Sequence, residues 1–180
     1  MPPEPIYTSN LLLRTFRETD LEDVHRGLSH EDVIRYYGVS YPTVEAARAQ
    51  MKFFADLDAF NTGAWWAVCS LKDEKFLGAC GINNYNPLHM KAELGFWLLK
   101  ENWGRGIMKE AIPKVCSYAF SNFALHRIEA FVEMGNGNSF GLLTKLGFRH
   151  EGVMVDCEIK NDKFISLHIF ATFHDVALPH

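Results

Sequence analysis

Residues 92–120, AELGFWLLKENWGRGIMKEAIPKVCSYAF, leave the backbone little choice. Leu94 to Leu99 is an apolar run of strand length. A polar connection, Lys100-Glu101-Asn102, leads to Trp103-Gly104-Arg105-Gly106. Beyond it the spacing turns helical, with Ile107, Ala111, Val115 and Tyr118 along one face. The segment reads as strand, glycine loop, helix N-terminus. Such a junction gathers unpaired backbone N–H groups at the positive end of a helix dipole, which suits a phosphate-bearing ligand. It is not a dinucleotide fingerprint, because Lys109 stands where G-x-G-x-x-G needs its last glycine.

The other elements follow from period and punctuation. Leu11 to Phe16 is an expected strand, and Thr19-Asp20-Leu21-Glu22 an expected helix start with the stripe Leu21, Val24, Leu28. A short helical turn is expected at Asp32 to Tyr37, closed by Gly38. Thr43 opens a second helix, Val44 to about Phe60. Strands are expected over Trp65–Leu71, Phe76–Ile82 and Ala92–Leu99, with turns at Asp73–Lys75 and Asn83–Leu88. A helix from Gly106 to about Phe123 carries Pro113, which should kink it or remove a hydrogen bond. Then come a strand Arg127–Glu133, a helix Asn138–Leu146, and strands Arg149–Ile159 and Phe164–Phe173 joined at Asn161-Asp162. The order β-αα-βββ-α-β-α-ββ predicts an α/β (α+β) protein with a mixed sheet, in one domain over residues 1–180.

Composition narrows the function classes. A net charge of −4 argues against direct nucleic-acid binding and leaves room for a basic protein partner. Cys69, Cys80, Cys116 and Cys157 form no C-x-x-C pair and lie in apolar segments, so reduced thiols of a cytoplasmic protein are expected. The eight histidines show no H-x-H or H-E-x-x-H, so no metal is expected. No apolar stretch approaches the ~18 residues of a membrane helix, and MPPEPIYTSN lacks a basic start and apolar run.

In this order and spacing the motifs resemble the GNAT acyl-CoA N-acyltransferase superfamily, and within it the ribosomal-protein N-acetyltransferase group. The resemblance covers nearly the whole chain. It rests on Leu11-Leu12-Leu13-Arg14 with Asp20, on Leu77-Gly78 with Gly81, and on Ala92 to Leu98 followed by Trp103 to Ala111. His126-Arg127-Ile128, Asn136-x-x-Ser139 and Leu146-Gly147-Phe148-x-x-Glu151-Gly152 complete it. Two positions depart from the superfamily pattern. Its cofactor loop reads Gln/Arg-x-x-Gly-x-Gly/Ala, and Trp103 and Met108 occupy the first and last of those positions. A tyrosine four residues before the Gly-Phe pair is common as acid for the leaving thiolate, and here Leu143 stands there.

The resemblance implies a GNAT fold: a mixed sheet of about seven strands with splayed middle strands and about four helices. It implies acetyl-CoA as cosubstrate, direct transfer of the acetyl group to an amine, and no covalent enzyme intermediate. The backbone of Gly104, Arg105, Gly106, Ile107, Met108 and Lys109 would hold the pyrophosphate, and free N–H and C=O groups of Trp97, Leu98 and Leu99 the pantetheine. Gly95 within that strand suggests a bulge or a close approach of another backbone. Asn136 would hold a pantetheine amide, and Ser139 would protonate the thiolate, although both residue types are also common helix caps. Candidates for the base are Glu158, placed first as matching the group's base position, Glu93, and Asp156. Asp156 and Glu158, two apart on one strand, should share a face.

The expected activity is therefore N-acetylation of a protein α-amine, such as a ribosomal protein N-terminus, by a monomer or homodimer. Kept open beside it are a small-amine acetyltransferase acting on an aminoglycoside or polyamine, and a non-catalytic acyl-CoA-binding module, which Leu143 permits. A nucleotide-binding reading of the loop is disfavoured by the lack of G-K-[S/T].

Overall fold

The computed structural model describes residues 3–175. Strands β1 (Ile6–Tyr7) and β2 (Leu11–Arg14) come first. Helices α1 (Leu21–Ser29), α2 (Glu31–Ile34) and α3 (Val44–Ala59) follow, and then the meander β3 (Ala64–Ser70), β4 (Phe76–Asn86) and β5 (Lys91–Leu98). Next are α4 (Ile107–Asn122), β6 (Arg127–Glu133) and α5 (Gly137–Lys145), and the hairpin β7 (Arg149–Lys160) and β8 (Lys163–Phe173) closes the order. The sheet runs β1-β2-β3-β4-β5-β6-β8-β7. Every neighbouring pair is antiparallel except β5 and β6, so the sheet is mixed as expected. Among the described residues it has eight strands rather than about seven, because β1 is a two-residue strand too short to leave a period in the sequence.

Both faces of the sheet are covered. On β3, Trp66 and Val68 point to the face packed by Ile107, Ala111, Val115 and Ala119 of α4. Trp65, Ala67 and Cys69 point to the opposite face, beneath Val24 and Leu28 of α1 and Phe54 and Leu57 of α3. That alternation makes β3 apolar on both sides and explains its unbroken hydrophobic run. All four cysteines are unbridged, and three are buried.

Local chemistry sets the helix starts. Thr43 Oγ1 accepts from the Ala46 N–H at 3.1 Å and caps α3. Asp20, expected as a cap acceptor, does something else. Its carboxylate takes both Arg14 guanidinium nitrogens at 2.8 Å, buried, and also the Arg17 N–H at 2.7 Å. This bidentate pair ties β2 to the start of α1. Helix α4 runs unbroken through the buried Pro113, so proline removes one hydrogen bond without ending the helix.

Two expectations about β4 and β5 are corrected. Asn83 to Asn86 belongs to β4, and the turn is confined to residues 87–90. The asparagines there are held by side-chain bonds: Asn83 Oδ1 accepts from Trp65 Nε1, and Asn84 Nδ2 donates to Glu93. Gly95 is not a bulge either, since it sits in register opposite Gly81. A β-carbon on Gly95 would lie 2.5 Å from the Trp65 ring, and one on Gly81 2.3 Å from it. The two glycines form a slot for the indole.

Candidate active site

The parallel strands β5 and β6 part company early. Only Lys91, Ala92 and Glu93 pair with Arg127, Ile128 and Glu129. Beyond Glu93, β5 stays paired to β4 up to Leu98 while β6 pairs with β8, so the two arms open into a fork. The inner edge of β5 there carries backbone groups with no strand partner. Its parity is fixed at the far end, where the Leu99 N–H donates to Leu77 O at 2.9 Å. Backbone groups alternate in direction along a strand, so Leu99 and Trp97 face β4, and Leu98 and Phe96 face the fork. Of the three residues expected to offer free backbone, Leu98 turns its groups to the fork, its carbonyl already accepting one bond from Trp103 Nε1; the Leu99 N–H is already taken. The Trp97 side chain is buried against Phe76. Phe96 was missed, because its availability depends on strand pairing and not on residue type.

The glycine loop lies past the end of β5, after a 3-10 turn at Lys100–Asn102. Gly104 (φ +72°) and Gly106 (φ +76°) are both left-handed, and nothing lies within 4 Å of where their β-carbons would be. Glycine is required there by conformation, and the missing side chains leave the backbone open to a ligand. Gly106 is the N-cap of α4 and makes no side-chain cap, so the N–H groups of Ile107, Met108 and Lys109 begin the helix uncapped. Ile107 and Met108 bury their side chains in the core, which holds those N–H groups in place, while Lys109 is exposed. The Arg105 guanidinium is tied back to Asn102 Oδ1 at 2.9 Å, and Asn102 donates to Leu77 O at 3.2 Å. Arg105 thus stiffens the loop.

Across the fork, α5 starts with Asn136 and Ser139. Asn136 is the cap: its Oδ1 accepts from the Ser139 N–H at 3.1 Å. Its Nδ2 donates to Ser139 Oγ at 3.1 Å. The Ser139 hydroxyl therefore accepts from Asn136 and keeps its own proton for another acceptor. Leu143 is fully buried in the core, so it takes no part in chemistry.

The carboxylates differ sharply in surroundings. Glu93 sits at the crotch of the fork, part-buried, and its Oε2 accepts from Asn84 Nδ2 at 2.8 Å. Burial pushes its pKa up; the Asn84 bond opposes this, and the charges of Glu129 and Glu158 add to it. Glu129 is neutralised by Lys91 at 3.1 Å and Arg127 at 2.8 Å. Glu158 is exposed on β7. Asp156 has φ +50° inside a register shift between Met154 and Glu158, and its N–H bonds Ser166 Oγ at 2.9 Å. That irregularity breaks the simple period of two, so the expected shared face of Asp156 and Glu158 does not follow from their spacing.

A segment read in the sequence only as a short helical turn roofs the fork. Asp32 of α2 pairs with Lys100, past the end of β5, at 3.1 Å. Lys160 at the end of β7 donates to Arg35 O and pairs with Glu133 of β6 at 2.8 Å. The Tyr36 hydroxyl lies 3.3 Å from where a β-carbon on Gly135 would sit. Residues 32–37 thus bridge from one arm to the other. Tyr37 is close enough to Glu93 for that charge to add to the upward push that burial gives its phenol. Its only signal in the sequence is Tyr36-Tyr37 before Gly38, which names no contact.

Comparison with known proteins gives a consistent result. The model of the acetyltransferase (GNAT) domain matches residues 10–149. The chain is 34% identical over 148 residues to YoaA, an uncharacterized N-acetyltransferase of Bacillus subtilis, covering 82% of this chain and 84% of YoaA. Two solved structures share the fold. RimL, a ribosomal L7/L12 α-N-protein acetyltransferase in complex with coenzyme A, superposes with a TM-score of 0.84 at 20% identity, over 96% of this chain and 99% of that one. Spermidine N-acetyltransferase of Vibrio cholerae, with CoA and spermine, gives 0.80 at 20% identity, over 92% and 96%.

Proposed function

Since the chain belongs to the GNAT acetyltransferase family, we propose that it transfers the acetyl group of acetyl-CoA to a protein α-amine, such as that of a ribosomal protein, in the cytoplasm. The observation that carries the reading is Glu93, unpaired with any cation among the described residues and placed where β5 and β6 separate.

The residues fit acetyl-CoA. The open, left-handed glycines and the uncapped N–H groups of Ile107, Met108 and Lys109 suit a pyrophosphate. The inner edge of β5 offers strand-type hydrogen bonds to the pantetheine arm. The thioester supplies the activated acetyl group. The Phe96 and Leu98 N–H groups face the fork and are the donors available to the thioester oxygen. Glu93 accepts the proton of the attacking amine, and the C–N bond forms as the C–S bond breaks. Ser139, held by Asn136, supplies the proton to the departing sulfur and regains one from solvent, while Glu93 returns the amine's proton to solvent.

The acceptor follows from proton arithmetic. An α-amine of pKa ~7.7–8.0 is neutral in roughly a tenth to a fifth of molecules at pH 7, whereas a lysine of pKa ~10.4 is neutral in well under roughly one in a thousand. A carboxylate with a raised pKa is a base adequate for the former. A polyamine is the second reading: Glu158 and Asp156 are exposed and form no ion pair among the described residues, and would attract a second cationic centre. A thiol-release assay decides between them. Free α-amine peptides should turn over faster than N-blocked lysine peptides and faster than spermidine. The reverse order with spermidine selects the polyamine reading, and release with no acceptor rejects both.

A further inference from the structure

The peptide joining Leu98 to Leu99 is held from both sides. Its N–H donates to Leu77 O at 2.9 Å. Its carbonyl, on the fork side, accepts from the indole Nε1 of Trp103 at 3.1 Å. Trp103 lies five residues on and folds back over the 3-10 turn to reach it. The ring packs against the apolar cluster under α1 and α3. Its face is covered by the Lys100 ammonium, 4.0 Å from the ring centroid, and Lys100 is anchored in turn by Asp32. An indole fixed on its edge and its face delivers the N–H in one direction.

Leu98 is the last residue of β5, five residues beyond Glu93, where the pairing with β6 ends. The Leu77 bond sets the plane of this planar peptide from the β4 side, and on the fork side no strand partner meets the carbonyl, so Trp103 supplies the second point of fixation. Carbonyl oxygen carries two lone pairs, so the bond from Trp103 leaves one for a ligand amide. We propose that Trp103 is a positioning residue that presents the Leu98 carbonyl to an amide N–H of the pantetheine arm, an inference that rests on the acetyl-CoA reading above. The tryptophan that departs from the usual Gln/Arg loop position then has a task of its own: it sets the backbone acceptor for the middle of the cosubstrate, while the loop behind it takes the phosphates. Preorganising an acceptor lowers the ordering cost of binding.

The test separates this task from packing. Trp103→Phe keeps an aromatic ring under Lys100 and removes only the N–H and one ring. Calorimetry with coenzyme A and with adenosine 3′,5′-bisphosphate, which lacks pantetheine, is the measurement. The variant should bind coenzyme A about three- to tenfold more weakly, the range of one net hydrogen bond, with its affinity for the bisphosphate unchanged. Equal weakening of both ligands, or of neither, overturns the proposal. If the smaller ring unsettles the fold, the sulfur isostere (benzothienylalanine at position 103) keeps the full shape and gives the same comparison. Wild-type protein that binds the bisphosphate but gains nothing from pantetheine also overturns it, whereas failure to bind either ligand brings down the acetyl-CoA reading itself.

Discussion

Glu93 and Glu129 face each other across the last rung that joins β5 to β6, and among the described residues only Glu129 is neutralised. Lys91 and Arg127 hold Glu129, while Glu93 has an asparagine and a hydrogen bond. One carboxylate is thus structural and charged. The other is left at the fork with its pKa raised, chiefly by burial.

Glu93→Gln should lower kcat by about 10²- to 10⁴-fold, the usual weight of a general base, and Glu158→Gln by far less. The acid limb of the wild-type kcat/KM profile should lie above the ordinary glutamate range and vanish in Glu93→Gln. The sign for stability is opposite. A folded-state carboxyl with a raised pKa binds more protons than the unfolded chain between its two pKa values, so it loses stability as pH rises through that window. Glu93→Gln should therefore melt higher than wild type at pH 7 and show no gain at pH 4. Equal activity of the two variants would put the base elsewhere.

Ser139 and Asn136 divide two roles that either residue type could fill. Asn136→Ala removes the α5 cap and should cost about 0.5–2 kcal/mol in chemical denaturation. Ser139→Ala removes no cap and should leave stability within about 0.5 kcal/mol while reducing kcat. A stability loss in Ser139→Ala with kcat intact would return it to a purely structural part.

The two kinds of glycine should respond differently. Gly95→Ala drives a methyl into the Trp65 ring at 2.5 Å and should cost about 1–3 kcal/mol of stability through overpacking. Gly106→Ala meets no atom within 4 Å but must hold φ +76°, so about 1–2 kcal/mol of backbone strain is expected. Coenzyme A affinity, measured by calorimetry, should fall in Gly106→Ala.

Lys160 joins β7, Glu133 and the Arg35 carbonyl. Lys160→Met should loosen residues 32–37 and raise KM for the amine several-fold, leaving KM for acetyl-CoA unchanged. A matched rise in both constants would show that the fold as a whole had suffered.

Asp20→Ala leaves Arg14 buried without its partner and should cost about 3–5 kcal/mol, measured by urea denaturation. A loss below about 1 kcal/mol would mean that solvent reaches the guanidinium.

The strand–loop–helix at 92–120 was legible because period and glycine placement act over short range. Apolar alternation, helical spacing after Gly106, and two glycines in a tight connection each constrain the chain through its immediate neighbours. Those same local rules missed β1, with two residues, and placed a turn over Asn83 to Asn86. The asparagines there are held in a strand by Trp65 and Glu93, partners 18 and nine residues away.

The sequence by itself determined the mixed α/β order, the strand–glycine loop–helix junction, and the placing of Asn136 and Ser139 at a helix start. Tertiary structure alone decided how those parts act. Parity against Leu77 turned Leu98 and Phe96, rather than Leu99, toward the fork. Lys91 and Arg127 claimed Glu129 and left Glu93 free. The fold carried Trp103 back onto the strand end. Each of these depends on which groups meet across the sheet, and hydrogen-bond direction and charge pairing are properties of that meeting, not of residue type.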